Sequence, residues 1–377
     1  METSLFNNIN IVNLPKDVEI KNNKKNPSTK TENEKDNPLN YSLNKIFTFK
    51  NTDEIIDLKI LKNGKIAICG HNYLNIYKYN NEKIELQLSI KKENKIISFT
   101  QLSNEDIVIC YSSIYMEIIK LIDENKYKVI QITKIKEKEC EKNGTKFRVV
   151  EIKENEFIII IRDYDKESMK LWKKYNGINY ECVTIFKGPL IYNALKLNEK
   201  EFTTLEYIHR NTRFKYDPIL KFYNSKKYSF ITEIKFKCSF FCTPCLKYPY
   251  SELLNENMCL INKDLFCVGI KALGIYLIKI STHEIIKEYN DEKEFYFGGI
   301  KSIIKYSDNL FLISKIIYDI NKDKYNGVII IFKYEKENMQ KLLISSTGDD
   351  CYYCYKLNNN MILIYNNRII NFLKLIT

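Results

Sequence analysis

The chain has 377 residues, of which 45% are hydrophobic and 13% aromatic, and its formal net charge is +12 at pH 7. This composition excludes a wholly disordered chain and is typical of a folded globular protein. No apolar run approaches the roughly 20 residues that cross a bilayer, and residues 1–15 lack the basic start and unbroken apolar core of a secretory signal. We therefore expect a cytoplasmic protein with reduced cysteines and no transmembrane segment, with the nucleus left open as a location.

The N-terminal segment differs from the rest of the chain. Residues 21–40 are polar with almost no apolar side chains, which predicts a disordered tail over residues 1–42. Lysines and acidic residues balance in this tail, so the positive charge belongs to residues 43–377. Such a charge raises encounter rates with acidic partners, although a solvated surface is the simpler explanation.

From residue 55 onward one pattern recurs: an apolar run, a short polar turn, a second apolar run and a third that ends in an aromatic residue and a lysine. It is clearest at 55–79, 96–121 and 147–161. The first apolar residues after the seven polar turns are Ile66, Ile107, Phe157, Phe202, Leu265, Leu310 and Met361. Seven units of about 40–50 residues with short strands are typical of a β-propeller.

Each unit should supply four antiparallel strands, which we name a to d from the centre of the propeller outward. In the first unit we predict them at 55–61, 65–70, 73–79 and 84–90. The last unit provides only strands a to c, and residues 43–50 have nothing else to pair with. If they complete the last blade, no long sheet edge is left exposed.

The predicted fold class is therefore all-β: a seven-bladed β-propeller of four-stranded antiparallel blades, with the ring closed by an N-terminal strand. Residues 43–377 would form one domain, with an insertion at 237–257 between the fourth and fifth blades. The wide spacing between those two units leaves six blades open as an alternative count.

Here the sequence resembles the WD-repeat propeller superfamily. Residues 63–79 resemble the repeat's strand b, tight turn and strand c, and residues 169–175 resemble the end of strand c, with Trp172 as the repeat's tryptophan. The family's terminal aspartate is replaced by Lys78, Lys173, Lys279 and Lys333. Its Gly-His pair occurs only as Gly70-His71, in a different place. The resemblance implies partner contacts around the mouth of the central channel, without the side-chain network of regular repeats.

The long connections are expected on one face of the propeller. In a blade, the a–b and c–d turns open on one face, which we call the turn face, and the b–c and d–a connections open on the other, the loop face. The predicted long connections are 135–145, 162–168, 207–218, 237–257 and 318–327. All five belong to the loop face, and loops on a rigid scaffold often carry binding residues. Exposed loops also tolerate insertions without any function.

Basic and aromatic residues in these connections are the candidate binding residues. The segment 207–218 is the richest, since it holds two arginines in a chain where arginine is scarce. The candidates are Arg162, His209, Arg210, Arg213, Lys215, Tyr216, Lys322, Lys324 and Tyr325. Such side chains suit an acidic peptide, a phosphate or a nucleic-acid backbone; a solvated basic loop is the alternative.

Metal binding has one candidate cluster. Cys238, Cys242 and Cys245 have C-x3-C-x2-C spacing and would hold zinc if Cys259 or a distant histidine supplied the fourth ligand. A packed, cysteine-containing loop is the plainer interpretation, so we predict no bound metal and no cofactor.

Catalytic motifs are not apparent. The chain has three histidines, and His283 is expected on the turn face, opposite His209. Cys351 and Cys354 have redox-like spacing, but in a predicted strand their side chains point to opposite faces. Neither a Gly-rich phosphate loop nor an H-E-x-x-H motif occurs. We predict that the protein is not an enzyme.

These features predict a non-enzymatic protein–protein interaction scaffold, monomeric within a complex, that binds other proteins or acidic peptides through its loop face. One alternative is an anionic-ligand binder, for a phosphoinositide headgroup or nucleic acid, whose binding would depend steeply on salt. Another is a zinc protein or enzyme built on residues 237–259, which would lose its metal in Cys242→Ser.

Overall fold

The structure is a computed structural model. It describes residues 42–80, 83–135, 146–162, 167–187, 190–209, 216–236, 257–270, 274–289, 300–319, 324–335, 338–346, 353–357, 361–366 and 368–376. The regular elements of these residues are β-strands, which form seven four-stranded antiparallel sheets. The all-β, seven-bladed fold predicted from the sequence is thus confirmed. No helix able to cross a bilayer occurs within the described ranges.

Strands a to d of the first three blades follow one another along the chain. Blade 1 consists of β2 (Asp57–Ile60), β3 (Ile66–Cys69), β4 (Tyr73–Asn80) and β5 (Lys83–Lys91). Blade 2 consists of β6 (Ile96–Gln101), β7 (Ile107–Tyr111), β8 (Tyr115–Leu121) and β9 (Tyr127–Lys134). Blade 3 consists of β10 (Lys146–Lys153), β11 (Glu156–Arg162), β12 (Glu167–Tyr175) and β13 (Asn179–Lys187).

Blades 4 to 6 have the same strand order, and blade 7 combines both ends of the described chain. Blade 4 consists of β14 (Leu190–Lys196), β15 (Glu201–His209), β16 (Tyr216–Asn224) and β17 (Phe230–Lys235). Blade 5 consists of β18 (Met258–Asn262), β19 (Leu265–Ile270), β20 (Gly274–Lys279) and β21 (Glu284–Tyr289). Blade 6 consists of β22 (Ile300–Lys305), β23 (Leu310–Asp319), β24 (Lys324–Glu335) and β25 (Asn338–Ser346). Blade 7 consists of β26 (Tyr353–Lys356), β27 (Met361–Tyr365), β28 (Ile369–Ile376) and β1 (Ser42–Lys50).

The apolar core is divided among the contacts between blades. Each of seven apolar clusters is shared by two neighbouring blades, and together they run round the ring from blades 1 and 2 to blades 7 and 1. Strand b is packed on both faces, so β3, β7, β19 and β27 are buried at every residue. This double burial is why strand b reads as a continuous apolar run rather than an alternating one.

A β-bulge recurs at one place in the c–d pair of every blade. Two consecutive residues of strand c, such as Ile76 and Tyr77 of β4, face a stretch of strand d that holds one extra residue. The extra residues are Ile46, Gln87, Ile130, Val183, Ile231, Ile286 and Leu342. A bulge increases the local twist of its strand pair. Because it recurs in all seven blades, it provides a common register for comparing them.

The N-terminal strand lies in the outermost position of blade 7. β1 pairs antiparallel with β28, from Ser42 opposite Ile376 to Lys50 opposite Ile369. Ser42, which the sequence placed in the tail, is the first residue of β1. The predicted disorder of the tail and the insertion at 237–257 lie outside the described residues, except for Ser42 and Asn257, and stay predictions.

Polar contacts link neighbouring blades on the turn face. The residue at the start of strand b reaches the c–d hairpin of the next blade, and we call these contacts the inter-blade latches. They are Lys65–Glu124 (3.2 Å), Asp106–Tyr180 (2.9 Å), Glu156–Tyr228 (3.0 Å) and Glu201–His283 (3.0 Å). The latches tie blades 1 to 5 together in sequence, and no motif in the sequence indicated them.

The latch at Asp106 is the most extensive. Its Oδ2 atom accepts hydrogen bonds from Lys174 Nζ at 2.7 Å, from the Tyr180 hydroxyl at 2.9 Å and from Asn104 Nδ2 at 3.0 Å. The side chains of Asp106 and Tyr180 are each 1% exposed. Burial, and then the nearby Asp106 charge, raises the pKa of Tyr180, while the hydrogen bond from Asn104 opposes the rise.

Phe372→Ala should weaken the contact between blades 7 and 1. The Phe372 ring is fully buried, stacks on Tyr79 of blade 1 at 4.9 Å and lies 5.1 Å from Phe47 of β1. Removing a buried phenylalanine ring costs about 3–5 kcal/mol of unfolding free energy, measurable by urea denaturation. Phe230→Ala is the control, because that ring is 54% exposed. Equal losses in the two variants would contradict the packing described here.

Tyr180→Phe should destabilise the fold through the latch alone. The variant keeps the ring but removes the hydroxyl that bonds Asp106 and Asn104. Leaving the buried Asp106 carboxylate and the half-buried Asn104 amide short of a partner costs about 1–3 kcal/mol, measured as a shift of the denaturation midpoint. Tyr175→Phe, at a ring 41% exposed in the same blade, should leave the midpoint within error of the wild type.

Candidate functional site

The b–c hairpins of three blades are longer than those of the others. Strand b has 4 residues in β3 and 5 in β7, but 7 in β11, 9 in β15 and 10 in β23. The longer ladders continue towards the loop face, and we call them the hairpin arms of blades 3, 4 and 6. Their last backbone pairs are Arg162 with Glu167, His209 with Tyr216 and Asp319 with Lys324.

The extent predicted for these connections was therefore wrong. The ladders continue into both ends of the segments taken as loops: residues 162, 167–168, 207–209, 216–218, 318–319 and 324–327 are paired, and the residues between them lie outside the described ranges. The sequence pattern did not predict these strand extensions, because alternation of apolar and polar residues marks only a strand that has one buried face. A hairpin beyond the blade body keeps its ladder through backbone hydrogen bonds, whatever its side chains.

The predicted binding residues fall on two groups of arms. The backbones of Arg162, His209 and Tyr216 lie at the ends of the arms of blades 3 and 4, which are neighbours in the ring. Lys324 and Tyr325 begin strand c of blade 6 and pair with Asp319 and Tyr318, away from the other two arms. The remaining candidates, Arg210, Arg213, Lys215 and Lys322, lie outside the described residues.

A buried carboxylate anchors the base of the blade 4 arm. Glu206 is 1% exposed and lies in β15, three residues before the last pair of the arm. It accepts hydrogen bonds from Lys221 Nζ at 2.7 Å, from Thr204 Oγ1 at 2.8 Å and from the Tyr223 hydroxyl at 3.1 Å. Burial, followed by the charge of Glu206, raises the pKa of Tyr223. Because both carboxylate oxygens have partners, this buried charge holds strands b and c at a fixed register.

Aromatic packing supports the other side of the same arm. The Tyr207 ring meets the Tyr192 ring edge-on at 5.3 Å. Pro218, opposite Tyr207 in the ladder, is buried, and its carbonyl accepts a hydrogen bond from the Phe236 backbone amide at 3.1 Å. The Phe236 ring in turn lies 4.7 Å from Tyr276 of blade 5. The base of the blade 4 arm is thus packed within its own blade and connected through Phe236 to blade 5.

A second buried carboxylate lies between blades 1 and 2, towards the loop face. Glu117 of β8 is 5% exposed, pairs with Lys92 at 2.7 Å and accepts a hydrogen bond from the Tyr111 hydroxyl. Burial and the hydrogen bond to Glu117 raise the pKa of Tyr111. Like Glu206, this carboxylate is paired and buried, which is typical of a group that fixes the scaffold rather than one that meets a ligand.

The inner ends of blades 1 to 5 surround a cavity of about 330 Å³ in the central channel. Its charged lining includes Lys59, Lys62 and Arg148 together with Asp57 and Glu151. Glu151 accepts a hydrogen bond from the Ser103 backbone amide at 2.8 Å. Because the lining carries both positive and negative side chains, the cavity favours neither an anionic nor a cationic ligand.

The described histidines do not form a catalytic constellation. His71 lies in the b–c turn of blade 1, 3.3 Å from Glu54 on the loop face, and His283 is held by Glu201 on the turn face. Within the described ranges, no group of three metal-ligating side chains comes together.

The zinc alternative falls mostly outside the described residues, which omit Cys238, Cys242 and Cys245. Cys259, one of the residues considered as a fourth ligand, lies in β18 directly opposite Cys267 of β19. Cys354 is buried in β26, and Cys351, with which it has the redox-like spacing, lies outside the described residues.

Comparisons with solved structures agree with this architecture. The crystal structure of Saccharomyces cerevisiae Sqt1 superposes with a TM-score of 0.56 at 10% identity, over 89% of this chain and 99% of that one. The WD40 β-propeller domain of Doa1 gives a TM-score of 0.52 at 11% identity, over 88% and 97% of the two chains. A chain of a mitotic checkpoint complex gives 0.58 at 8% identity, over 93% and 98%.

Those similarities define the class of fold, a β-propeller, which is the fold that the sequence resemblance implied. No protein-family model matches the chain, and no curated protein is significantly similar to it. The structural similarity at these identities describes the fold, so the function has to be argued from the chain's own surface.

Lys221→Met should expose the cost of the buried charge under the blade 4 arm. The variant leaves Glu206 buried without its cation, which costs about 3–5 kcal/mol, measured by urea denaturation. Adding Glu206→Gln in the same chain removes the charge and should restore part of that loss. If the double variant loses as much stability as the sum of the losses in the single variants Lys221→Met and Glu206→Gln, the two side chains are not coupled.

Proposed function

We propose that this chain is a non-enzymatic protein-interaction scaffold that binds other proteins or acidic peptides through the hairpin arms and d–a connections of its loop face. The observation that carries the proposal is the extension of the b–c ladders in blades 3, 4 and 6 beyond the length found in blades 1 and 2. Arms of paired strands present side chains at fixed positions, so a partner loses little by ordering them.

The anchoring of the blade 4 arm supports this mechanism. Glu206 with Lys221 on one side, and Tyr207 with Tyr192 on the other, fix the strands that lead to His209 and Tyr216. Buried, fully paired groups at the base of an arm stabilise one conformation of it. One of the similar solved chains is part of a complex, which is the setting proposed for this chain, as a monomer among other proteins.

A reducing, cytoplasmic location is part of the proposal, with the nucleus left open. Thiols rather than disulfides are expected in such a compartment, and Cys69, Cys110 and Cys267 are buried thiols within strands b. The anionic-ligand alternative stays a prediction and is separated by the experiment below.

Charge reversal in the segment that joins His209 to Tyr216 along the chain should remove the partner. The full chain is purified by affinity tag from its native cells, as wild type and as the variant Arg210→Glu, Arg213→Glu, Lys215→Glu. We expect the partner bound by the arms to fall by about tenfold or more in the variant, because truncating or reversing charged contacts at an interface costs about 2 kcal/mol or more.

The control carries the same change of charge on the turn face, as Lys83→Glu, Lys226→Glu and Lys227→Glu, and should retain the partner. Retention of the same proteins by the arm variant would count against the proposal. Recovery of nucleic acid or lipid in place of protein, with a steep dependence on salt, would favour the anionic-ligand alternative.

A further inference from the structure

The common register of the seven blades reveals a regular set of lysines on the turn face. Each of these lysines directly follows the two residues of strand c that lie opposite the bulge, and so lies near the c–d turn. This position is occupied by Lys78, Lys120, Lys173, Lys279, Lys333 and Lys374, and only blade 4 differs, with Asn224. The sequence comparison had identified four of these lysines; the bulge register adds Lys120 and Lys374. We call the six the lysine ring.

Four members of the lysine ring are available to a partner. Lys78, Lys120, Lys279 and Lys374 are exposed, and none of them forms an ion pair within the described part of the chain. Glu85 lies opposite Lys78, and Glu284 lies opposite Lys279, in the c–d strand pairs of their blades. Neither couple forms an ion pair. The other two members are engaged, Lys173 with Glu156 at 3.2 Å and Lys333 with Glu335 at 2.5 Å.

In blade 2 the lysine of the ring lies opposite a second lysine, which destabilises the strand pair. Lys120 stands directly opposite Lys128 in the pair of β8 with β9. Like charges directly opposite each other destabilise a strand pair. Both side chains are exposed, and no acidic residue within the described ranges forms an ion pair with either of them. A carboxylate from another molecule would relieve this repulsion.

Apolar side chains are exposed beside the lysine ring. They lie on the c–d hairpins of blades 1 to 5, at or near the start of strand d. The most prominent are Leu86 (53% exposed), Ile122 (65%), Ile178 (63%), Phe230 (54%), Ile285 (40%) and Ile286 (40%). Single exposed apolar residues are normal on a protein surface. Here they recur on the same hairpin of five successive blades, and this repetition beside the lysine ring is what we take to indicate an interaction surface.

From these two observations we propose that the turn face is a second docking surface, whose occupant is a protein that presents carboxylates and apolar side chains. The carboxylates would meet the lysine ring, and the apolar groups would cover the hairpins. A nucleic-acid backbone would satisfy the charges but offers no apolar groups for Ile122, Ile178 or Phe230. The site lies opposite the hairpin arms, so a scaffold using both faces would hold two partners at once.

Carbodiimide cross-linking tests the proposal directly, because it joins a lysine amine to a carboxylate that is already in contact. The tagged full chain is isolated from its native cells under mild conditions, cross-linked and analysed by mass spectrometry. We expect links from Lys78, Lys120, Lys279 or Lys374 to Asp or Glu residues of a co-purifying protein. The same four amines should also react more slowly with an acetylating reagent in the complex than in the purified chain alone.

A matched pair of variants completes the experiment. Changing Lys78, Lys120, Lys279 and Lys374 to Glu should lower recovery of the cross-linked protein by about tenfold or more, while proteins that depend on the blade 4 arm are retained. The control changes Lys50, Lys91, Lys95 and Lys134 to Glu; these exposed lysines lie towards the loop face and should leave the turn-face partner bound. A Lys→Gln version of the ring variant, with its melting temperature recorded, separates loss of contact from loss of folding.

The proposal is overturned if the four ring amines cross-link to no other protein, or if the ring variant retains every partner. It is also overturned if nuclease treatment abolishes the protection of the amines, since the occupant would then be nucleic acid. Because the arm variant and the ring variant remove different proteins, failure of one surface leaves the result for the other intact.

Discussion

The structure depends on apolar packing between neighbouring blades. A four-stranded blade has two faces to bury, and it can bury them only against the blades before and after it. The seven apolar clusters are each shared by two blades, so no blade has a core of its own. Every other feature, from the bulged outer strands to the anchored arms, is arranged around this requirement.

Polar residues act on this framework in two ways. On the turn face, latches such as Asp106 with Tyr180 join one blade to the next. Within blade 4 and between blades 1 and 2, Glu206 and Glu117 are buried with lysine and tyrosine partners. Burying a charge costs free energy unless its partners are complete, so these groups fix the orientation of blades and strands more than they add stability.

The two faces of the propeller consequently offer different surfaces. The loop face carries paired arms, of which the blade 4 arm has a packed and hydrogen-bonded base. The turn face carries lysines at one position of six blades beside exposed apolar hairpins. Rigid arms suit recognition of a defined partner at low entropic cost. A regular charge pattern suits a broad partner surface of opposite charge.

The sequence by itself determined the strand type and the repeating unit, because double burial makes strand b a continuous apolar run at a regular spacing, as in 66–69 and 107–111. The choice of seven blades over six was decided by the tertiary structure, in which the strands form seven separate sheets. It did not determine how far the b–c hairpins extend, since backbone pairing in an arm leaves no apolar period to read. Nor could it give the latches, which join residues such as Glu201 and His283 that are far apart in the chain. The lysine ring was only partly visible, because the alignment of Lys120 and Lys374 with the others depends on the bulge register that tertiary structure sets.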